Sequence, residues 1–342
     1  MILQDIWFFV WGLLWAVFFI TDGFDFGVGT LLPFLGKNNQ EKRTMIHSIG
    51  PLWDGNEVWL LTAGGVTFAA FPLVYAVMFS SLYSALMLIL FALILRGVAF
   101  EFRNRVNSDS WRRVWDGCIF VGSFAPALLF GVAFANIFKG IPFDGNGIYQ
   151  GTLLTLLNPY GLLGGILFLL LFLMHGALWL TMKAEGDLHR RVLSTANGLW
   201  PILLVIAVVF LIYSKVATSL FENYLAHPVL FLFILLTVLF LLGIKVFLKK
   251  GSYCMAWISS ALTIIGATFF GIIGLYPNMF PSSIHTSYSL TAHNASSSTL
   301  TLTIMLIVAI IFVPIVIAYQ AWTYNMFQGK ISKEDLASDE MY

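Results

Sequence analysis

Four carboxylates of this 342-residue chain sit inside or beside apolar segments, in two pairs of identical spacing. Asp22 and Asp25 lie within Thr-Asp-Gly-Phe-Asp-Phe-Gly-Val-Gly (21–29), and Asp54 and Glu57 within Trp-Asp-Gly-Asn-Glu-Val-Trp-Leu (53–60). A spacing of three places both members of a pair on one helical face. Ionisable groups in apolar helices are expensive to bury, and they mark proton or ion routes or partners of opposite charge. Carboxyls at one depth can relay protons when acids and waters come within hydrogen-bond reach. Structural readings stand beside this one. Asp54 is near a helix start, where free N–H groups and the helix dipole stabilise a carboxylate. Asp22 and Asp25 could equally pair with Arg96 or a loop lysine. Spacing alone leaves these readings open.

Other polar residues point to packing. Arg96 and Glu101 close the third apolar segment, and Asp116 opens the fourth beside Arg112 and Arg113; snorkelling and local ion pairing are expected there. His175 has no second histidine at ligand spacing on its segment, so a packing role is expected. The two cysteines, Cys118 and Cys254, lie in different apolar segments and form no metal or disulfide pattern. Gly23 with Gly27, and Gly161 with Gly165, form GxxxG pairs suited to close helix contacts. The chain carries no nucleotide-binding loop, no CxxCH haem attachment site and no histidine-rich metal motif. It is therefore expected to hold no metal and no complete redox centre of its own.

The elements that must position these residues are membrane helices. The chain is 59% hydrophobic and 10% charged, with a mean hydropathy of +0.87, whereas soluble domains carry about 25% charged residues. The net charge of +1 gives no argument for nucleic-acid binding. A spanning helix needs about 20 mainly apolar residues. Nine such stretches are expected, at 5–31, 53–72, 75–101, 114–138, 160–182, 197–214, 228–248, 254–275 and 300–327. The first has no basic flank and no small-residue cleavage site, so a retained helix is expected. Alternate loops and the C-terminal tail, which includes Lys330 and Lys333, hold 15 of the 18 Lys and Arg residues. The positive-inside rule then places the N-terminus outside and the C-terminus in the cytoplasm, as an odd number of spans requires. Loops 139–159 and 276–299 fall outside. So do many aromatics, among them Trp7, Trp11, Tyr149 and Tyr160, which are expected to anchor the membrane interface. Asp22 lies roughly 25 Å along its helix from Asp5, near the cytoplasmic boundary. Segment 53–72 starts from that same side. All four carboxylates are thus expected to converge at the inner end of one antiparallel helix pair.

The motifs in order resemble subunit II of cytochrome bd-type quinol oxidases. The resemblance rests on the two acidic stretches above, on Phe-Ala-Ala-Phe-Pro (68–72), Gly-Ser-Phe-Ala-Pro (122–126), Gly-Val-Ala-Phe-Ala-Asn (131–136), Leu-Asn-Pro-Tyr-Gly-Leu (157–162) and Phe-Pro-Ser-Ser (280–283), and on Ala-Ser-Ser-Ser-Thr-Leu-Thr-Leu (295–302). It covers essentially the whole chain. The sequence departs from the pattern at Leu52 and Glu57, where family members often carry His and Gln; Glu57 adds an acid. The resemblance implies an all-α membrane protein of two four-helix bundles plus one peripheral helix, divided here as 1–138, 139–275 and 276–342. It implies a bacterial plasma membrane, a haem-bearing subunit I as partner holding two haems b and one haem d, and a small single-helix subunit. A structural quinone or lipid is compatible with it. The implied complex oxidises quinol and reduces oxygen to water with cytoplasmic protons, generating proton motive force without pumping. Asp25 and Asp54, with Asp22 next, match the acidic motifs and are assigned to proton uptake, and Glu57, the added acid, is grouped with them. Trp59 matches a tryptophan of the oxygen route. Two other classes compete. A secondary transporter would also carry intramembrane acids, and a purely structural subunit would need none of them for turnover.

Overall fold

The computed structural model describes residues 1–331; Lys333, counted above among the basic tail residues, lies outside them. Twelve α-helices occur among the described residues. They are α1 (Ile2–Leu35), α2 (Asn39–His47), α3 (Trp53–Ala70), α4 (Pro72–Ser81), α5 (Tyr83–Phe102) and α6 (Asp109–Lys139), followed by α7 (Pro159–Lys183), α8 (Gly186–Ala217), α9 (Leu220–Ala226), α10 (Phe231–Lys249), α11 (Tyr253–Leu275) and α12 (Thr299–Met326). A small antiparallel pair, β1 (Asn278–Phe280) and β2 (Leu290–Thr291), folds the loop before α12. Eight helices, namely α1, α5, α6, α7, α8, α10 with its leading turn, α11 and α12, are long and apolar enough to cross a membrane. The chain is a multi-pass, all-helical protein.

The expected segments reappear with two changes. Segment 53–72 is the 18-residue α3, more polar than the eight because Asp54, Asn56 and Glu57 share its first turns. Segment 75–101 is two helices. Pro72 cannot continue α3 and drives Phe71 out of helical geometry (φ −136°, ψ 64°). A second break falls at Leu82 (φ −98°, ψ 11°), where α4 gives way to α5.

Helix α1 is the axis of the molecule, packing on α3, α6, α7 and α11. Its phenylalanines meet those of α6 and α7 edge to face, as in Phe18–Phe130 (5.2 Å, 71°) and Phe19–Phe168 (5.0 Å, 87°). Such pairs add roughly 0.5–1.5 kcal/mol each beyond area burial. The glycine pairs bring backbones together as their spacing implies. A Cβ on Gly27 would stand 2.0 Å from the Phe172 carbonyl oxygen, and one on Gly176 would stand 2.7 Å from Gly27 Cα. Gly27→Val must therefore push α1 off α7, and overpacking of this kind costs roughly 1–3 kcal/mol. The variant is expected to lower the midpoint of thermal unfolding in detergent. An unchanged midpoint would show that the contact tolerates expansion.

The aromatics near the Asp5 end are interior groups, which corrects the interface-anchor expectation for three of them. Trp7 donates to the Leu302 carbonyl (3.0 Å) and Trp11 to Thr67 Oγ1 (2.9 Å); both indoles are buried. Tyr160 is buried against Ser214 (2.8 Å). A buried indole N–H needs an acceptor, and α3 and α12 supply them. Loop 139–159 is tied to the loop before α12 by Ser282 Oγ donating to the Phe143 carbonyl (2.6 Å).

Candidate functional site

The α1–α3 pair is antiparallel, as Trp11–Thr67 near one end and Asp25–Asn56 near the other require. This alignment brings three of the four expected carboxylates together. Asp22, Asp25 and Arg96 of α5 are all fully buried. One terminal nitrogen of Arg96 donates to both oxygens of Asp22 at 2.8 and 3.1 Å. The same nitrogen stands 3.6 Å from Glu57 Oε2, whose side chain is 21% exposed. The guanidinium lies 4.5 Å from the centre of the Phe26 ring, which adds a cation–π contact. Arg96 is thus an interior counter-ion and not a snorkelling group. One buried cation faces Asp22 and Glu57, with Asp25 one helical turn beyond Asp22.

Asp25 is held by an amide. Asn56 Nδ2 donates to Asp25 Oδ2 (2.7 Å), and Tyr324 of α12 donates its hydroxyl proton to Asn56 Oδ1 (2.7 Å). The other Asp25 oxygen, Oδ1, receives no donor among the described residues, with the Asp22 carboxyl within hydrogen-bonding reach of Asp25, and Nε and Nη1 of Arg96 meet no acceptor there. Buried polar atoms of this kind usually meet ordered water. The arrangement is a buried polar cluster with unfilled hydrogen-bonding positions on Asp25 and Arg96.

Asp54 does not join this group. It lies exposed in the first turn of α3, so the expected four-acid convergence becomes three acids plus a surface carboxylate. Trp59 is buried and donates to Gln320 Oε1 of α12 (2.8 Å), while Gln320 Nε2 donates to the Gly55 carbonyl (2.8 Å). Asn56, Gln320 and Tyr324 went unnoticed in the sequence. Asn56 sits inside the acidic motif and Gln320 is a lone amide in an apolar helix, so a polar-residue scan of the spans could have raised both.

Asp116 pairs with residues other than those expected. Arg103 Nε (2.6 Å) and Lys42 Nζ (2.9 Å) reach it, whereas Arg112 turns to Asp109 (3.0 Å). Glu41 of α2 pairs with Arg191 of α8 (2.6 Å). Burial pushes the Glu41 carboxyl up, but the Arg191 bond and the Lys37 backbone N–H hold it below its usual value. These pairs pin α2 and the α5–α6 turn to the end of the molecule that carries the acid site.

His175 serves packing. Its Nδ1 meets Ser260 Oγ (2.5 Å), its Nε2 meets the Ile20 carbonyl (3.0 Å), and its ring stacks on Trp257 at 5.0 Å. With both ring nitrogens engaged, it offers no axial ligand to a haem. Among the described residues no group of three or more His, Cys, Asp or Glu could hold a metal ion. Elsewhere, a cavity of about 70 Å³ opens between α7, α8, α10 and α11, lined by apolar side chains and the two hydroxyls of Thr237 and Thr263.

The acidic motifs on α1 and α3 belong to a pattern that extends along the chain. Residues 3–327 match the family described as cytochrome bd terminal oxidase subunit II. The chain belongs to that family. The cytochrome bd-I ubiquinol oxidase subunit 2 of Escherichia coli strain K12 is 38% identical, over 98% of this chain and 97% of the relative. The cytochrome bd ubiquinol oxidase subunit 2 of Bacillus subtilis strain 168 is also 38% identical, over 97% and 98%. A chain in the structure of the bd oxidase from Geobacillus thermodenitrificans has the same fold, with a TM-score of 0.76 at 17% identity over 96% of this chain and 99% of that one.

Proposed function

We propose that this chain is the second subunit of a bacterial plasma-membrane quinol oxidase, working beside a haem-bearing subunit I and a small single-helix subunit. In that complex two quinols supply four electrons to one O2, which takes four cytoplasmic protons to form two waters. Protons released from quinol leave on the outer side, so charge separates without a pump. The chain's part is to lead protons inward and to leave a route for oxygen. The observation that carries this reading is the fully buried Asp22 and Asp25 with Arg96 between them and Glu57. Two carboxyls side by side, Asp22 and Asp25, with Asp25 Oδ1 receiving no donor, support proton exchange at this place.

Asp54 and Glu57 are proposed as the uptake groups. Carboxylates at the end of an apolar helix need water or a protein partner. Both lie on α3, where subunit I is proposed to cover the exposed apolar face that includes Val58, Leu61 and Phe68. Trp59, at the α3–α12 seam, is assigned to oxygen access. The apolar cavity between α7 and α11 suits a lipid chain or the tail of a structural quinone. The haems are assigned to subunit I, as the family resemblance implies. With α3 as the ninth crossing, the basic loops place α2 and the C-terminus in the cytoplasm and the N-terminus outside. Two four-helix bundles flanked by α12, with divisions at 138 and 275, are part of the proposal; α1 and α6 also pack closely on α7 across the first division.

The test is purification through a tag on this chain. The expected material carries the visible absorption bands of haem b and haem d and oxidises quinol with oxygen. Recovery of a colourless chain that alone catalyses solute counterflow would overturn the proposal in favour of a transporter.

A further inference from the structure

Helix α12 is held to the rest of the molecule in an unusual way. Only Leu302 of its residues is buried. Its inner end is fastened by polar bonds: Trp59 to Gln320, Gln320 to the Gly55 carbonyl, Tyr324 to Asn56, and the Lys183 ammonium to the Phe327 carbonyl. In a bilayer, interhelical hydrogen bonds and packing replace the hydrophobic drive for helix association. One of these bonds, from Tyr324, ends on the Asn56 amide that holds Asp25.

An amide has a donor end and an acceptor end, and which end faces a neighbour is decided by its hydrogen-bond partners. Tyr324 donates to Asn56 Oδ1, and that choice leaves Nδ2 pointing at Asp25 Oδ2. Without the phenol the amide can turn over and set its oxygen against the carboxyl. The Tyr324 ring does not depend on its hydroxyl for its place, because it stands edge-on to Phe24 (6.2 Å, 87°) and Trp179 (6.1 Å, 68°). We propose that Tyr324 is a positioning residue of the acid site: through Asn56 it occupies one oxygen of Asp25 and leaves the other, Oδ1, as the atom that exchanges protons. An amide does not readily pass a proton along, so Asn56 also closes the α12 side of Asp25 and directs traffic toward Asp22. This inference rests on the proton-uptake reading of Asp25.

The test uses the intact purified complex and four variants. Tyr324→Phe removes one oxygen and keeps the ring. It is expected to lower kcat for oxygen consumption by about 10-fold, the upper range for one lost hydrogen bond between neutral groups, with KM for quinol and haem content unchanged. In infrared difference spectra, the carboxyl band lost in Asp25→Asn is expected to shift in Tyr324→Phe. Because Tyr324 acts through Asn56, the double variant Tyr324→Phe/Asn56→Leu is expected to be no slower than Asn56→Leu alone; coupled residues are not additive. The proposal is overturned if Tyr324→Phe moves neither kcat nor the band, or if the two losses multiply in the double variant. Failure of the underlying reading looks different: Asp25→Asn itself would then leave turnover intact.

Discussion

Replacing Asp25 with asparagine should slow oxygen consumption by the intact complex about 100-fold, the lower range for removing a group that transfers protons, with haem content unchanged. The substitution keeps the shape of the side chain. The new amide oxygen can still accept from Asn56 Nδ2, now 2.7 Å from Asp25 Oδ2, so the α1–α3 contact should survive. What disappears is the capacity to take up and release a proton at a fully buried position. Neither Asn56 nor Arg96 can substitute, since one is an amide and the other a permanent cation. Oxygen-electrode rates normalised to haem d absorbance give the answer directly. A normal rate in fully haem-loaded Asp25→Asn complex would remove the proton role and leave a scaffold subunit of the same family.

Arg96→Leu should act on the fold before it acts on turnover. Arg96 is completely buried, and its partner Asp22 sits 74 residues away on α1. Removing the cation strands a carboxylate in an apolar interior, and breaking a buried pair from one side costs about 3–5 kcal/mol. That is a large share of the stability of any domain, so little assembled complex should reach the membrane. The companion Asp22→Asn/Arg96→Leu removes both charges and should recover most of the yield, since a matched neutral pair is often tolerated. Quantifying this chain and haem d in membranes for the two variants separates the cases. Equal yields of Arg96→Leu and the unaltered protein would mean that the ion pair contributes nothing to holding α1 and α5 together. Gly122 sharpens the expectation, because a Cβ there would meet Arg96 Cβ at 2.7 Å and so α6 seals the arginine in place.

Class, most helix positions and the meeting of acids from α1 and α3 were legible in the sequence, for simple reasons. Long apolar runs admit one solvent and one secondary structure. The i, i+3 spacing of Asp22 and Asp25 puts them on one face whatever surrounds the helix. The short connection between α1 and α3 makes them antiparallel neighbours, so the acidic ends meet. The break at Phe71–Pro72 was legible in principle, since proline states its own rule. The break at Leu82 was not, because Leu82 has no conformational signature.

Partnerships across the bundle were decided elsewhere. In a membrane helix the lipid-facing and core-facing sides are both apolar, so sequence periodicity says little about which way a polar residue turns. For that reason Asp54 and Glu57, three residues apart, could not be ranked in advance. The packing of α5 against α6 brings Arg96 to Glu57 and Asp22, and α3 leaves Asp54 on the surface. For the same reason Tyr324, 268 residues from Asn56, looked like one more aromatic in an apolar span. The sequence alone determined that acids would lie buried near one end of a helical membrane protein, because burial depth follows from chain length and hydrophobicity. Only the tertiary structure decided which cation answers Asp22 and which amide holds Asp25, because those choices depend on helix rotation.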